Sequence, residues 1–307
     1  MTRDIIKNPV NDKQFRRLGM RTSENIYQLI IGLLLALLAS TMVLPFLYVL
    51  VISFTDSTAY TSGTFYLWPK KWSLEAYSLI LSGKGFLNAL KASLFITFVG
   101  TPINVCANAG LAYMLSKDEL VGRKLINRLV MFTMLFGAGM IPNFINIKNL
   151  GLINSWFANI LPSACGAWTV MVMKSFFQEL PRDLEEAAEI DGCGTIKMFF
   201  RIILPLSLAM LATFTLFAFV SYWNCYFSAI LYLTSSSKQP LQVYLQKLVL
   251  STDISEVVDV ADDLAKKVPQ EVMRMASLIV VVFPILCIYP FMQKYFAKGV
   301  MVGAVKG

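Results

Sequence analysis

Histidine is absent from all 307 residues. That removes the commonest general base and the commonest zinc ligand together. Charge is scarce as well: Asp, Glu, Lys and Arg make up 15% of the chain, against about 25% in a soluble domain. The five cysteines, Cys106, Cys165, Cys193, Cys225 and Cys287, are scattered without paired spacing, which excludes a secreted disulfide scaffold. A phosphate loop needs G-x-x-x-x-G-K-[ST], so that backbone amides and a lysine hold the phosphates. Gly83-Lys84 lacks both the preceding glycine and the following hydroxyl. No cofactor or metal site is expected, and any ATP chemistry belongs to another subunit.

What is abundant is apolar. Hydrophobic residues make up 56% of the chain and the mean hydropathy is +0.61, which excludes intrinsic disorder. Six long windows are free of Asp, Glu, Lys and Arg: Glu24 to Asp56, Lys91 to Lys117, Arg128 to Lys148, Lys148 to Lys174, Arg201 to Lys238 and Arg274 to Lys294. Each approaches or exceeds the about 20 apolar residues that cross the hydrocarbon as a helix. An alternating β-barrel pattern is missing, and lipid forbids unpaired backbone. The expected fold is all-α, a polytopic membrane protein with six transmembrane helices. Residues 1–25 precede the spans, 26–295 form the membrane domain with a prominent loop at 178–205, and 296–307 form a tail. The first apolar run, Ile26 to Phe54, is too long for a cleaved signal peptide and no small-x-small site follows it.

The basic residues predict orientation. Arg3, Lys7, Lys13, Arg16, Arg17 and Arg21 precede the first span; Lys117, Arg123, Lys124 and Arg128 occupy the second connection; Lys174, Arg182, Lys197 and Arg201 the fourth; Lys294, Lys298 and Lys306 the tail. The alternate connections are poorer in basic residues for their length. The positive-inside rule then puts both termini and the second and fourth connections in the cytoplasm of a cell-membrane protein. The net charge of +8 is thus a topology signal facing anionic lipid, not a nucleic-acid footprint. Pro45, Pro102, Pro142, Pro162, Pro284 and Pro290 lie within the windows, where membrane helices tolerate them.

The fourth connection carries the most information. Asp183 and Glu186 have capping-box spacing, Ala187 and Ala188 favour helix and leave a flat surface, and Gly192 stands where a short helix should end. Thr195 can cap a second helix, whose apolar stripe is Ile196, Phe199, Phe200 and Ile203, with Lys197 and Arg201 opposite. Pro205 marks the turn into the next span. Two short helices at the membrane surface are predicted, presenting a knob. An ordinary interfacial helix has the same amphipathic pattern, but anionic lipid would repel the cluster Glu185, Glu186, Glu189 and Asp191, whereas a basic protein would not.

Glu186-Ala187-Ala188, three residues, Gly192, nine residues, then Ile202-x-Leu204-Pro205 resembles the EAA loop of permease subunits in binding-protein-dependent ABC importers. Tyr222-Trp223-Asn224 and the end from Tyr289 to Gly307 are similar to the oligosaccharide branch, to the smaller permease of maltose-type transporters and to LplC-like permeases. The resemblance implies the type I importer (MetI-like) permease fold and a non-catalytic subunit. It implies a heterodimer with a second permease, two ATP-binding subunits beneath, and an extracytoplasmic sugar-binding protein. Glu186, Ala187, Ala188, Gly192, Ile202, Leu204 and Pro205 would couple to the ATPase. Glu186 would meet a basic group, the alanines would allow close approach, and Gly303 to Gly307 would also reach the ATPases.

The windows also contain Asn104, Asn108, Asn143, Asn146, Tyr222, Trp223, Asn224 and Tyr226 but no charge. Of these, Asn104, Asn108, Tyr222, Trp223 and Asn224 are the candidates for the substrate pathway. Amides beside aromatic faces suit a neutral sugar; equally, amides bridge helices and aromatics pack. Outside, the aromatic run Phe65 to Tyr77 is expected at headgroup level. Asp253, Glu256, Asp259, Asp262 and Asp263 suggest a short surface helix, either solvated or docking the binding protein. Two rivals remain: an ABC permease for a non-sugar solute, and a secondary carrier, which would favour intramembrane carboxylates and an internal repeat.

Overall fold

The computed structural model describes residues 9–251 and 268–304, with side chains for 27–251 and 268–290. The acidic run from Asp253 to Asp263, the basic residues Arg3 and Lys7 and the last three residues of the tail lie outside the described residues, and the side chains of Gly303 and its neighbours are likewise not described. Among the described residues helices dominate, and β-type pairing is confined to an isolated bridge between Thr55 and Trp72.

The charge-free windows mark apolar length but not continuity. Three helices are unbroken and apolar enough to cross a membrane: α1 (Pro9–Ser53), α3 (Lys84–Ser116) and α13 (Gln270–Ala304), with the short α2 (Glu75–Ser82) before α3. Two windows hold bent pairs instead. The pair α4 (Arg123–Leu135) and α5 (Met140–Asn149) turns by 118°, and α9 (Thr195–Leu206) and α10 (Leu208–Trp223) turn by 86°. The fourth window contains only α6 (Phe157–Ile160) and α7 (Ala167–Gln178), with a non-helical stretch between them that includes Pro162 and Gly166. Six continuous spans are therefore not found: three helices can cross, or five if each bent pair counts as one. Three more α-helices, α8 (Asp183–Ile190), α11 (Phe227–Tyr232) and α12 (Leu241–Leu250), and a 3-10 turn at Ser236–Lys238 are the remaining helical elements among the described residues.

Breaks free backbone groups, and in hydrocarbon those groups must find partners inside the protein. The central helix α3 supplies them. Ser93, Thr97, Thr101, Asn104 and Asn108 recur every three or four residues, so they share one face. Ser93, Asn104 and Asn108 make the bonds to other segments, while the hydroxyls of Thr97 and Thr101 are buried without a hydrogen-bond partner among the described residues. Ser93 Oγ accepts the amide of Leu241 at 2.8 Å, at the start of α12. Asn104 Nδ2 donates to the carbonyl of Ser163 at 2.7 Å. Asn108 donates to the carbonyl of Ala164 at 3.1 Å and accepts from the amide of Gly166 at 2.9 Å. The Tyr222 hydroxyl, from α10, donates to the carbonyl of Ile160 at 3.1 Å and accepts from Ser163 Oγ at 3.3 Å. A polar seam on one helix thus fastens the break between α6 and α7.

Apolar packing is arranged around the same helix. At one end Phe86 and Ala89 join Ile52, Ile80, Trp223, Leu241, Leu248, Val272 and Met273. Midway Ile96 meets Ile160, Ala218 and Tyr222. At the other end Ala109, Ala112, Tyr113 and Leu115 meet Met173, Phe177, Ala188, Met198, Ile203 and Phe214. Close approach is needed at Gly100, where a Cβ would stand 3.0 Å from the Tyr222 ring. Helix α1 packs against α13, and Glu271 at the start of α13 accepts from Tyr60 at 2.7 Å and Ser62 at 3.0 Å. The apolar window of α1 is otherwise uncovered by this chain.

Asn108→Leu should leave the Gly166 amide and the Ala164 carbonyl unpaired, at about 1–3 kcal/mol for each buried bond unmade. A clear fall in melting temperature of the detergent-purified protein is expected, and an unchanged melt would refute the seam's role.

Candidate coupling site

The loop after α7 folds as two short helices, as expected, but its caps differ from those predicted. The first helix is wound from Pro181: the carbonyl of Pro181 accepts from Leu184 at 3.4 Å, and that of Arg182 accepts from Glu185 at 2.9 Å and Glu186 at 3.0 Å. Asp183 therefore sits inside the first turn and makes no capping bond. There it complements the positive helix end together with Glu185 and Glu186. Thr195 is likewise displaced: Gly194, extended at φ −66° and ψ 155°, takes the capping position before α9, and no side chain caps that helix.

The turn between the helices does follow the sequence. Gly192 has φ +73°, a left-handed conformation that costs other residues about 1–2 kcal/mol. Its amide bonds the Glu189 carbonyl at 2.9 Å and the Cys193 amide bonds the Ala188 carbonyl at 2.9 Å. Those two bonds are the Schellman closure, and Cys193 packs with Ala188 as its apolar contact.

Neighbouring residues of the motif face opposite ways. Ala188 is 6% exposed and packs into the end cluster, so its small size serves the chain's own core. Glu186, Ala187, Glu189 and Gly192 are exposed, and Ile190 is 86% exposed. These form the knob. In α9 the predicted stripe splits: Ile203 is buried with Met198, Phe199 is half-buried, and Ile196 (77%) and Phe200 (60%) are exposed. The cause is a π-helical turn over Phe199–Ile203, whose wider i→i+5 bonding shifts the face that an α-helix would present. Ile202 and Leu204 pack partly against the cluster, Pro205 is exposed, and the chain turns at Ser207 rather than at Pro205 itself.

The acidic cluster is not uniform. Glu185 is ion-paired with Lys117, at the end of α3, and also accepts from the Tyr113 hydroxyl at 3.3 Å. Asp118 is bridged by Arg182 and by Arg123. Burial disfavours the Lys117 cation, but its bonds to Glu185 and Tyr113 prevail and its pKa is raised. Asp118 is held below the usual carboxylate range by Arg182 first and then Arg123. The raised Lys117 keeps its contribution until pH climbs above its usual value, and the lowered Asp118 keeps its own until pH falls below the carboxylate range, so both ties persist at neutral pH. A polar cleft of about 120 Å³ lies between Lys117–Glu119 and Glu185, Glu186 and Glu189. Adjacent acids on a helix cannot share a face, and that rule alone separates Glu185 from Glu186. The basic partner on α3 has no local sequence signal.

Of the pathway candidates, Asn104, Asn108 and Tyr222 are engaged in the seam. Trp223 is buried, stacked on Phe219 and bonded to the Val281 carbonyl at 3.3 Å. Asn224 is exposed and accepts from Gln242 at 2.9 Å. Among the described residues no group of three or more Cys, Asp or Glu side chains converges as a metal site would.

A sequence model of the family described as binding-protein-dependent transport system inner membrane component matches residues 28–302. The chain is 43% identical over 284 residues to the polygalacturonan/rhamnogalacturonan transport system permease protein YtcP of Bacillus subtilis, covering 91% of this chain and 97% of that one. It is 42% identical over 266 residues to the protein LplC of the same organism, covering 86% and 90%. Among solved structures, it superposes with a TM-score of 0.82 and 31% identity on a chain of a bacterial ABC transporter involved in the import of the acidic polysaccharide alginate, covering 89% and 98%.

Opposite faces predict opposite sensitivities. Ala188→Leu should overpack the end cluster and cost about 1–3 kcal/mol, whereas Ala187→Leu should stay within about 0.5 kcal/mol of wild type. Thermal unfolding of the two purified variants checks the contrast.

Proposed function

The chain belongs to the family of binding-protein-dependent transport system inner membrane components, and from that premise we propose that it is the non-catalytic permease subunit of an ABC importer for carbohydrate. It sits in the membrane with both termini and the 178–205 loop in the cytoplasm. Its partners are a second permease, two ATP-binding subunits that supply the nucleotide chemistry, and an extracytoplasmic sugar-binding protein. Carbohydrate cargo is supported by the relatives named for polygalacturonan/rhamnogalacturonan and alginate.

The single observation that carries the reading is the knob. Glu186, Ala187 and Ile190 project from a helix whose far side, through Ala188, is packed into the permease. A projecting helix anchored behind can take load from a partner and pass it on. Glu186 is the charge offered to a basic group of the ATPase, and Gly192 fixes the angle at which the helix stands. Within the membrane, Asn104, Asn108, Tyr222 and Trp223 act as scaffold, and Asn224 keeps the assignment as a pathway residue.

Purified alone, the chain should hydrolyse no ATP. Assembled with its partners and reconstituted, it should show ATPase activity stimulated by the loaded binding protein, tested with neutral and uronate-containing oligosaccharides against amino acids and peptides. Glu186→Lys should abolish that stimulation while membrane insertion persists. Turnover by the isolated chain, or stimulation by a non-sugar alone, would sink the proposal.

A further inference from the structure

Five charged residues outside the exposed knob converge where three segments meet. Lys117 and Asp118 directly follow α3, Arg123 opens α4, and Arg182 and Glu185 flank the start of α8. The Lys117 and Glu185 side chains are only 22% and 21% exposed, so water competes with this pair less than with a surface ion pair. Lys117 Nζ also lies 4.7 Å from the centre of the Tyr113 ring. That ring stacks on Phe199 of α9 at 5.0 Å and meets Phe177 of α7 edge-on at 5.8 Å. Arg123 Nε donates to the carbonyl of Leu115 at 2.9 Å, which closes the α3–α4 turn onto the same point.

We propose that the Lys117–Glu185 pair, backed by the Asp118 bridge to Arg182 and Arg123, is an ionic latch that makes the coupling helix α8 and the central helix α3 move as one body. This rests on the transport reading above. Glu185 is turned away from the knob and already neutralised within the chain, so its role is transmission, not contact with the ATPase. Displacing α8 pulls on α3 at its end, and α3 carries the seam of Asn104 and Asn108 that holds the mid-membrane break. Lys117, Asp118 and Glu185 are positioning residues, acting through the helices they join.

The test uses the full reconstituted complex, measuring transport and ligand-stimulated ATPase together for wild type, Lys117→Met, Glu185→Gln and the charge swap Lys117→Glu with Glu185→Lys. The single variants should hydrolyse ATP with loss of ligand stimulation and of transport per ATP, and the swap should restore both, a rescue that mere structural damage would not give. Spin labels at Met114 on α3 and Leu184 on α8 should keep one separation in nucleotide-free and ATP-trapped states. Full coupling in both single variants, a swap as uncoupled as the singles, or a label separation that changes by several ångströms would each overturn the latch. Should a single variant fail to assemble, the swap and the labels decide. If the wild-type complex shows no stimulation by a loaded binding protein, the transport reading itself falls and takes the latch with it.

Discussion

A backbone amide or carbonyl that faces hydrocarbon without a partner costs several kcal/mol, and this constraint governs the whole architecture. The chain breaks its apolar segments at 136–139, 161–166 and Ser207. Each break interrupts the regular helical bonding that would otherwise satisfy its backbone groups. The best-described remedy is the row of Ser93, Asn104 and Asn108 on α3, whose side chains bond the start of α12 and the stretch between α6 and α7. One continuous helix thereby supports the irregular stretch between α6 and α7. That helix also threads all three main packing clusters, so its polar and apolar faces do complementary work: the first satisfies bonds, the second fills space.

The loop beyond α7 shows how a contact surface is built from few residues. The helix is too short to hold its shape by propensity, since isolated helices of this length are unstable. It depends on burial of Ala188, on the Schellman closure at Gly192, and on ionic ties through Glu185 and Arg182. What those anchors leave free is a rim of Glu186, Ala187 and Ile190. An exposed Ile beside acids is poor design for solvent and good design for a protein partner.

How much of this could be read from the sequence depends on the kind of signal. Spacing rules carry well: Gly192 at the end of a short helix and the alanines within it correspond to what is observed, because each rests on local geometry. Continuity did not carry. The window from Lys148 to Lys174 has the composition of a span, yet Leu161 to Gly166 is not helical, because partners on α3, distant in sequence, make the break affordable. The π turn at Phe199–Ile203 similarly places Phe200 outward while Ile203 is buried. Polar residues in the membrane were ambiguous for the same reason: an asparagine that reads a sugar and one that clamps a backbone look identical until the neighbouring carbonyl is seen. For Asn108 the neighbouring atoms are backbone groups together with the Asn104 side chain.

The pairing of α1 with α13 bears on how the protein is made. A ribosome delivers α1 to the bilayer more than two hundred residues before α13 exists, and α1 has little else in this chain to lean on. Its apolar surface must therefore be compatible with lipid as a lone inserted segment, which explains why it is leucine-rich and free of polar seams. The bonds from Tyr60 and Ser62 to Glu271 can form only after the start of α13 has been made. They tie the stretch that follows α1 to the start of α13, far along the chain.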